Sequence, residues 1–178
     1  MSQLSDETAW MMPKEAFEWI ENNIPFGSKI LEFGSGKGSE RLAVNYTLFS
    51  VEHNPEWINK YNSNYIYAPI KFFEQDSQRN GLGWYETEVL KEHLLGENFA
   101  LIIIDGPPAS IGREGIMDHL WILDKSEYIL IDDLQREKEY DLSQMLSKEC
   151  RLKCLHYYKD EGDHAERHFG VFVREQHV

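Results

Sequence analysis

Only two cysteines, Cys150 and Cys154, occur in the 178 residues. They are too few for a disulfide framework, and a four-residue spacing without nearby Cys or His partners makes a poor zinc site, so both read as reduced thiols. No apolar run approaches the roughly 20 residues needed to span a bilayer. The opening Met1-Ser2-Gln3-Leu4-Ser5-Asp6-Glu7 lacks the basic segment and apolar core of a secretory leader. These absences predict a cytoplasmic protein with no membrane partner. Basic residues are scarce as well: 18 Lys and Arg against 31 Asp and Glu give a formal net charge of −13. Such a surface repels polyanions at long range, and no Lys/Arg cluster offsets it. The expected partner is therefore a small molecule, or a peptide with some positive charge, and not nucleic acid. What is abundant, 42% apolar and 13% aromatic residues, excludes a disordered chain. The length predicts one domain over 1–178 with a substantial core.

The chain is organised around Lys29-Ile30-Leu31-Glu32-Phe33-Gly34-Ser35-Gly36-Lys37-Gly38-Ser39, an apolar run that ends in an acid and breaks into three alternate glycines. A short apolar run bounded by glycine predicts a buried strand passing into a tight turn, with a helix beginning over 40–45. Glycine lets the backbone take positive φ and approach a ligand closely, while the first N–H groups of the helix face the same point. A P-loop would need four residues between its glycine and Gly-Lys-Ser/Thr, but position 31 is Leu and Gly36-Lys37 is followed by Gly38. A dinucleotide fingerprint would use Gly34, Gly36 and a small residue at 39, which Ser39 only roughly supplies. The remaining pattern is Glu32-x-Gly34-x-Gly36-x-Gly38, and a glycine turn of some other α/β protein is its bland alternative. Glu32 suits a cationic ligand better than a pyrophosphate, which a carboxylate would repel.

This pattern resembles the first motif of the class I S-adenosylmethionine-dependent methyltransferases. The resemblance implies that Gly34, Ser35, Gly36 and Gly38 lie under the amino acid portion and ribose of S-adenosylmethionine. It also implies that Glu32 helps hold the ammonium end, often through water. Residues 1–27 are then an N-terminal helical segment and 28–178 the cofactor-binding core.

The rest of the chain supplies the layers. Trp10, Met11, Ala16, Phe17, Trp19 and Ile20 recur with helical period over 7–22, interrupted by Pro13; they read as packing onto a sheet, with a cover over a ligand as the other use of the Met and Trp residues. A second strand over 46–51 ends at Glu52-His53-Asn54-Pro55. An acid at that point, 18 residues after Gly34, is where a βαβ nucleotide fold accepts hydrogen bonds from ribose hydroxyls, so Glu52 is assigned to ribose. His53 either packs against the cofactor's edge or lies exposed. A third strand over 64–70 is closed by Pro69. Methyltransferases often carry an acid after this strand that bonds the adenine amino group, and the resemblance offers Asp76. Residues 84–95 predict a helix with Trp84, Val89, Leu90, Leu94 and Leu95 on its apolar side and Gly96 as its stop.

The run 99–104 is continuously apolar, as in the middle of a parallel sheet covered on both faces, and it ends in Asp105-Gly106-Pro107-Pro108. Ligands bind at the carboxyl ends of such strands, so Asp105 faces the crevice. Asp-Gly-Pro-Pro resembles the fourth motif of several small-molecule and glycan methyltransferases. In the loop that follows, Arg113 either orients a substrate carboxylate or pairs at the surface with Glu114 or Asp118. A fifth strand over 127–131 ends in Asp132 and Asp133. With Asp105 this pair resembles the metal-dependent catechol-type O-methyltransferases, which implies Mg²⁺ held by Asp105, Asp132 and Asp133. The alternative is that one of the pair caps a helix over 134–147. Two last strands, over 151–158 and 169–174, flank a polar connection in which His164 and His168 are either acid/base candidates or simply solvated.

The fold class expected is α/β: a three-layer α/β/α sandwich with a seven-stranded, mostly parallel sheet whose last strand is antiparallel. The resemblance implies methyl transfer from S-adenosylmethionine to oxygen or nitrogen of a small-molecule acceptor. Asp105 is the candidate base or metal anchor, with Asp132 and Asp133 as helpers and Arg113 as a further catalytic candidate. A homo-oligomer would add acceptor-binding surface. Two other classes remain: a non-catalytic S-adenosylmethionine-binding or interaction protein, and a nicotinamide-dependent oxidoreductase, which Glu32 opposes.

Overall fold

The structure, a computed structural model, describes residues 11–74, 81–159 and 167–175. Its first half runs α1 (Lys14–Asn23), β1 (Lys29–Phe33), α2 (Lys37–Asn45), β2 (Thr47–Glu52), β3 (Asn64–Tyr67), β4 (Ile70–Phe72), β5 (Gly83–Tyr85) and α3 (Thr87–Leu94). The second half runs β6 (Phe99–Ile104), α4 (Leu120–Leu123), β7 (Ser126–Ile131), α5 (Glu137–Glu149), β8 (Leu152–Lys159) and β9 (His168–Arg174).

Seven strands form one sheet in the order β3-β2-β1-β6-β7-β9-β8. β3, β2, β1, β6 and β7 pair in parallel, and β9 runs antiparallel to both β7 and β8. This is the expected sheet with its reversed last strand. Residues alternating along a strand face opposite sides, and here that alternation separates two apolar cores. Ile30, Leu101, Ile103 and Leu130 join Phe17 and Ile20 of α1 and Leu42 of α2 on one side. Leu31, Ile102, Ile104, Ile129 and Ile131 join Leu90 and Leu94 of α3 and Leu142 and Leu146 of α5 on the other. With helices covering both faces, the carboxyl edge of the strands is where a sheet of this kind takes a ligand. Among the described residues no helix is long and apolar enough to cross a membrane.

Three local expectations need correction. The glycine-rich turn is shorter than the sequence suggests: α2 starts at Lys37 with Gly36 as its N-cap, so Gly38 already lies in the first helical turn. There it serves packing, because a Cβ at position 38 would lie 2.9 Å from the Phe17 ring. Trp84 and Tyr85 are not helical. They belong to a two-stranded ribbon, β4 against β5, made possible by Gly83, whose absent Cβ would lie 2.6 Å from the Lys71 carbonyl. Finally, neither Asp132 nor Asp133 caps α5; Arg136 holds the N-cap position without a side-chain cap.

Candidate functional site

The strand order writes the site. At the carboxyl edge it sets the end of β2 (Glu52), the end of β1 (Gly34), the end of β6 (Asp105), the end of β7 (Asp132, Asp133) and the start of β9 (Arg167) side by side. Neighbouring strands lie about 4.8 Å apart, so this row spans roughly 19 Å. A cavity of about 460 Å³ opens along it, within the roughly 300–1,000 Å³ typical of small-ligand sites.

At the β1 end, Gly34 sits at φ +88, a conformation that side chains disfavour, and a Cβ there would lie 3.2 Å from the Asp105 carbonyl. The neighbouring Gly106 is tighter still, 2.7 Å from the Tyr85 hydroxyl by the same measure. Glycine at these two points lets β1, β6 and the ribbon meet beneath the cavity, which Gly34, Ser35, Gly36, Tyr85 and Gly106 all border.

Glu52 borders the cavity, and its carboxylate is fixed before any ligand arrives. Oε2 accepts from the Ser35 N–H at 2.9 Å, and Oε1 accepts from the N–H groups of His53 and Asn54, both at 2.7 Å. His53 lies beside it with Nδ1 2.9 Å from Oε1, and also borders the cavity. Glu32 has a different place from the one the resemblance implied. It is buried below the loop and does not border the cavity; the hydroxyls of Ser39 and Ser50 each donate to its Oε1 at 2.6 Å. The Ser39 oxygen in turn accepts from the Gly36 N–H at 3.1 Å. Glu32 therefore anchors the corner from underneath through Ser39. Burial pushes its carboxyl up to about 7, with the two hydroxyl bonds pulling the other way. Asp76, the adenine candidate, lies outside the described residues, as does His164. His168 sits at the start of β9 with Nδ1 2.9 Å from the Tyr157 hydroxyl.

The middle of the row is built by Arg113. It is neither a substrate clamp nor a surface arginine: its side chain is 2% exposed and internally bonded. Nη1 donates to the Asp132 carbonyl and Nη2 to the Asp105 carbonyl, both at 2.9 Å. Nη2 also reaches Asp105 Oδ1 at 3.1 Å and Asp133 Oδ2 at 2.8 Å. One guanidinium thus ties the ends of β6 and β7 together. Asp133 adopts φ +63, a left-handed conformation Asp tolerates better than most residues, and Arg136 Nη1 also reaches its Oδ2 at 2.8 Å. Asp105 is the most open of the acids, with a side chain 31% exposed to the cavity. Desolvation pushes it up to about 6, against the pull of Arg113. Asp132 is 1% exposed, and neither carboxylate oxygen has a hydrogen-bond partner among the described residues. Burial, with Asp105 and Asp133 adding repulsion, pushes it up to about 8.

Asp105, Asp132 and Asp133 place one oxygen each within 4.8 Å of one another. They nevertheless fit a metal poorly. The guanidinium of Arg113 already bridges Asp105 and Asp133, held by two backbone carbonyls, and Mg²⁺ in the same place would have to displace it or bear its repulsion. Any transfer the protein carries out should be unchanged in EDTA; loss of activity restored by Mg²⁺ would reverse this assignment.

Sequence reasoning missed Arg136 and Arg167. Both border the cavity, but nothing in their spacing reveals it: one precedes α5, the other precedes β9, and only the β7-β9 pairing brings them together.

No known family model matches the sequence, and no curated protein matches it. Solved structures do share the fold. An rRNA methylase from Streptococcus thermophilus superposes with TM-score 0.61 at 13% identity, over 98% of this chain and all of that one. The magnesium protoporphyrin IX methyltransferase of Synechocystis, with S-adenosylmethionine bound, gives 0.56 at 13% identity over 90% of this chain and 76% of that one. Aeropyrum pernix fibrillarin, also with S-adenosylmethionine bound, gives 0.58 at 13% identity over 90% and 74%. The fold is that of the class I methyltransferases. The rRNA methylase also corrects the exclusion of nucleic acid drawn from net charge, because the same fold serves a protein named for an RNA. The physical reason is that a charge of −13 is summed over the whole surface, whereas recognition is local, and here three arginines meet at one cavity.

Proposed function

We propose that the chain is an S-adenosylmethionine-dependent methyltransferase. The observation that carries this reading is a single cavity bordered by the Gly34-Ser35-Gly36 corner and the fixed carboxylate of Glu52 at one end, with Asp105 beside them. Gly34, Ser35 and Gly36 would pass under the donor, and Glu52 would accept from a ribose hydroxyl through the Oε2 lone pair that its three backbone N–H partners leave free. The donor supplies a methyl group already activated by its sulfonium. The chain's task is to hold donor and acceptor in line and to accept the acceptor's proton. Asp105 does the latter: with a pKa of about 6 it is ionised at neutral pH yet basic enough to take a proton. Arg113 fixes its orientation, and Asp132 lies behind that pair.

For the acceptor we favour a small molecule, since donor and acceptor share one cavity of about 460 Å³. An RNA acceptor is the second reading, favoured by the rRNA methylase that shares the fold. Calorimetry with S-adenosylmethionine and with NAD tests the donor, and binding of NAD alone would end the proposal. Labelled donor incubated with a metabolite extract and with total RNA separates the two acceptors. Tight donor binding without transfer to either would favour a non-catalytic binding protein. Glu52→Ala should weaken donor binding by about 1–3 kcal/mol through loss of hydrogen bonds to a charged group. Because the same change orphans three backbone N–H groups, Glu52→Gln is the companion variant, with melting temperature recorded for both. Unchanged donor affinity in both variants would remove Glu52 from the site.

A further inference from the structure

The cavity has two unlike ends. On the β2–β1 side its charged border is Glu52; on the β7–β9 side Arg113, Arg136 and Arg167, from three separate segments of a chain otherwise dominated by acids, border it together with Asp105 and Asp133, both of which are paired to Arg113. We propose that the β7–β9 end is an anion subsite, and that the methyl acceptor carries a carboxylate or phosphate group bound there by Arg136 and Arg167. The proposal rests on the methyltransferase reading for the word acceptor, but the subsite itself stands on geometry.

Arg113 is not part of it, because its donors are committed to Asp105, Asp132 and Asp133. The other two have capacity left. A guanidinium offers five N–H donors. Arg136 places Nη1 on Asp133 Oδ2, an oxygen it shares with Arg113, so one carboxylate answers two cations. Its side chain remains 43% exposed on the cavity border. Arg167 gives Nη1 to the Met11 carbonyl at 2.6 Å, which fixes the side chain without neutralising it. Among the described residues the acid it pairs with is Asp132, whose Oδ2 is 3.8 Å from Nη2, beyond hydrogen-bond reach, and which does not itself border the cavity. Two oriented, incompletely neutralised guanidinia at one rim suit the paired oxygens of a carboxylate or phosphate. An ammonium acceptor would instead meet repulsion there.

The test begins by saturating the protein with S-adenosylhomocysteine, so that the donor end is filled, and then titrating inorganic phosphate, succinate and tetramethylammonium at constant ionic strength by calorimetry. Phosphate or succinate should bind and tetramethylammonium should not. Arg136→Gln and Arg167→Gln should each weaken the anion by about tenfold or more, the effect of losing a charge-assisted hydrogen bond, with S-adenosylhomocysteine affinity and melting temperature little changed. A short single-stranded RNA that binds in the same arginine-dependent way would identify the anion as backbone phosphate; succinate binding without RNA binding would identify a small acid. Absence of anion binding to the saturated protein, or anion binding that both variants retain, overturns the proposal. So does loss of S-adenosylhomocysteine affinity in the variants, since the arginines would then serve the donor's own carboxylate. If S-adenosylhomocysteine fails to bind the wild type while phosphate binding still depends on the two arginines, the methyltransferase reading falls and the anion subsite survives.

Discussion

Arg113→Ala is expected to lower the free energy of unfolding by about 3–5 kcal/mol, the range for removing one partner from a buried ion pair. The loss is large because the deletion acts on several groups at once. The carbonyls of Asp105 and Asp132 lose their 2.9 Å donors, and Asp133, 4% exposed, keeps among the described residues only the half-exposed Arg136 as a cationic partner. Lysine should rescue little, since one ammonium cannot reach two backbone carbonyls and two carboxylates in the planar fork that a guanidinium provides. Adding Asp133→Asn to Arg113→Ala should recover part of the loss, because it removes the carboxylate left underpaired. Urea denaturation of the three variants measures this. A loss below about 1 kcal/mol for Arg113→Ala would mean that the arginine merely fills the crevice and does not join β6 to β7.

The features legible in the sequence were those that a single strand specifies by itself. The continuous run of Phe99–Ile104 can be buried on both faces only as an inner strand, and the acids closing the second and fourth runs of the main sheet, Glu52 and Asp105, had to emerge at the carboxyl edge. What stayed hidden depends on partners distant in sequence. Trp84 fits an apolar helical stripe equally well, and only its pairing with Lys71 across the ribbon makes it a strand residue. Glu32 has the right spacing for a ligand-facing acid, yet two serine hydroxyls, one of them 18 residues away, hold it below the loop. Arg113 could not be recognised as buried, because an arginine is normally at the surface unless acids and carbonyls surround it, and those come from two other strand ends. The same limit defeated the charge argument: Arg136 and Arg167 are isolated in sequence and become neighbours of one cavity through the β7-β9 pairing.

Asp105→Asn should reduce transfer by about 10²–10⁴-fold, the usual contribution of a positioned general base, while leaving donor binding nearly intact. Asparagine suits the test because its side-chain oxygen can still accept the Arg113 Nη2 bond now made at 3.1 Å, so the crevice keeps its shape and only proton acceptance is lost. The pH profile supplies an independent readout. Only the ionised carboxylate can take a proton, and desolvation has raised its pKa to about 6. In the wild type, kcat/KM should therefore fall as the pH drops through about 6 and level off above 7. The residual rate of Asp105→Asn should lack that step. The raised pKa has an opposite consequence for the fold. An acid that holds its proton more tightly when folded favours folding at low pH, and that contribution is lost as the pH rises from about 4 to 6, so stability and activity should move in opposite directions across this interval. A wild-type profile flat between pH 5 and 8, or an asparagine variant retaining more than about a tenth of the activity, would assign the proton to another group and leave Asp105 as a partner of Arg113 alone.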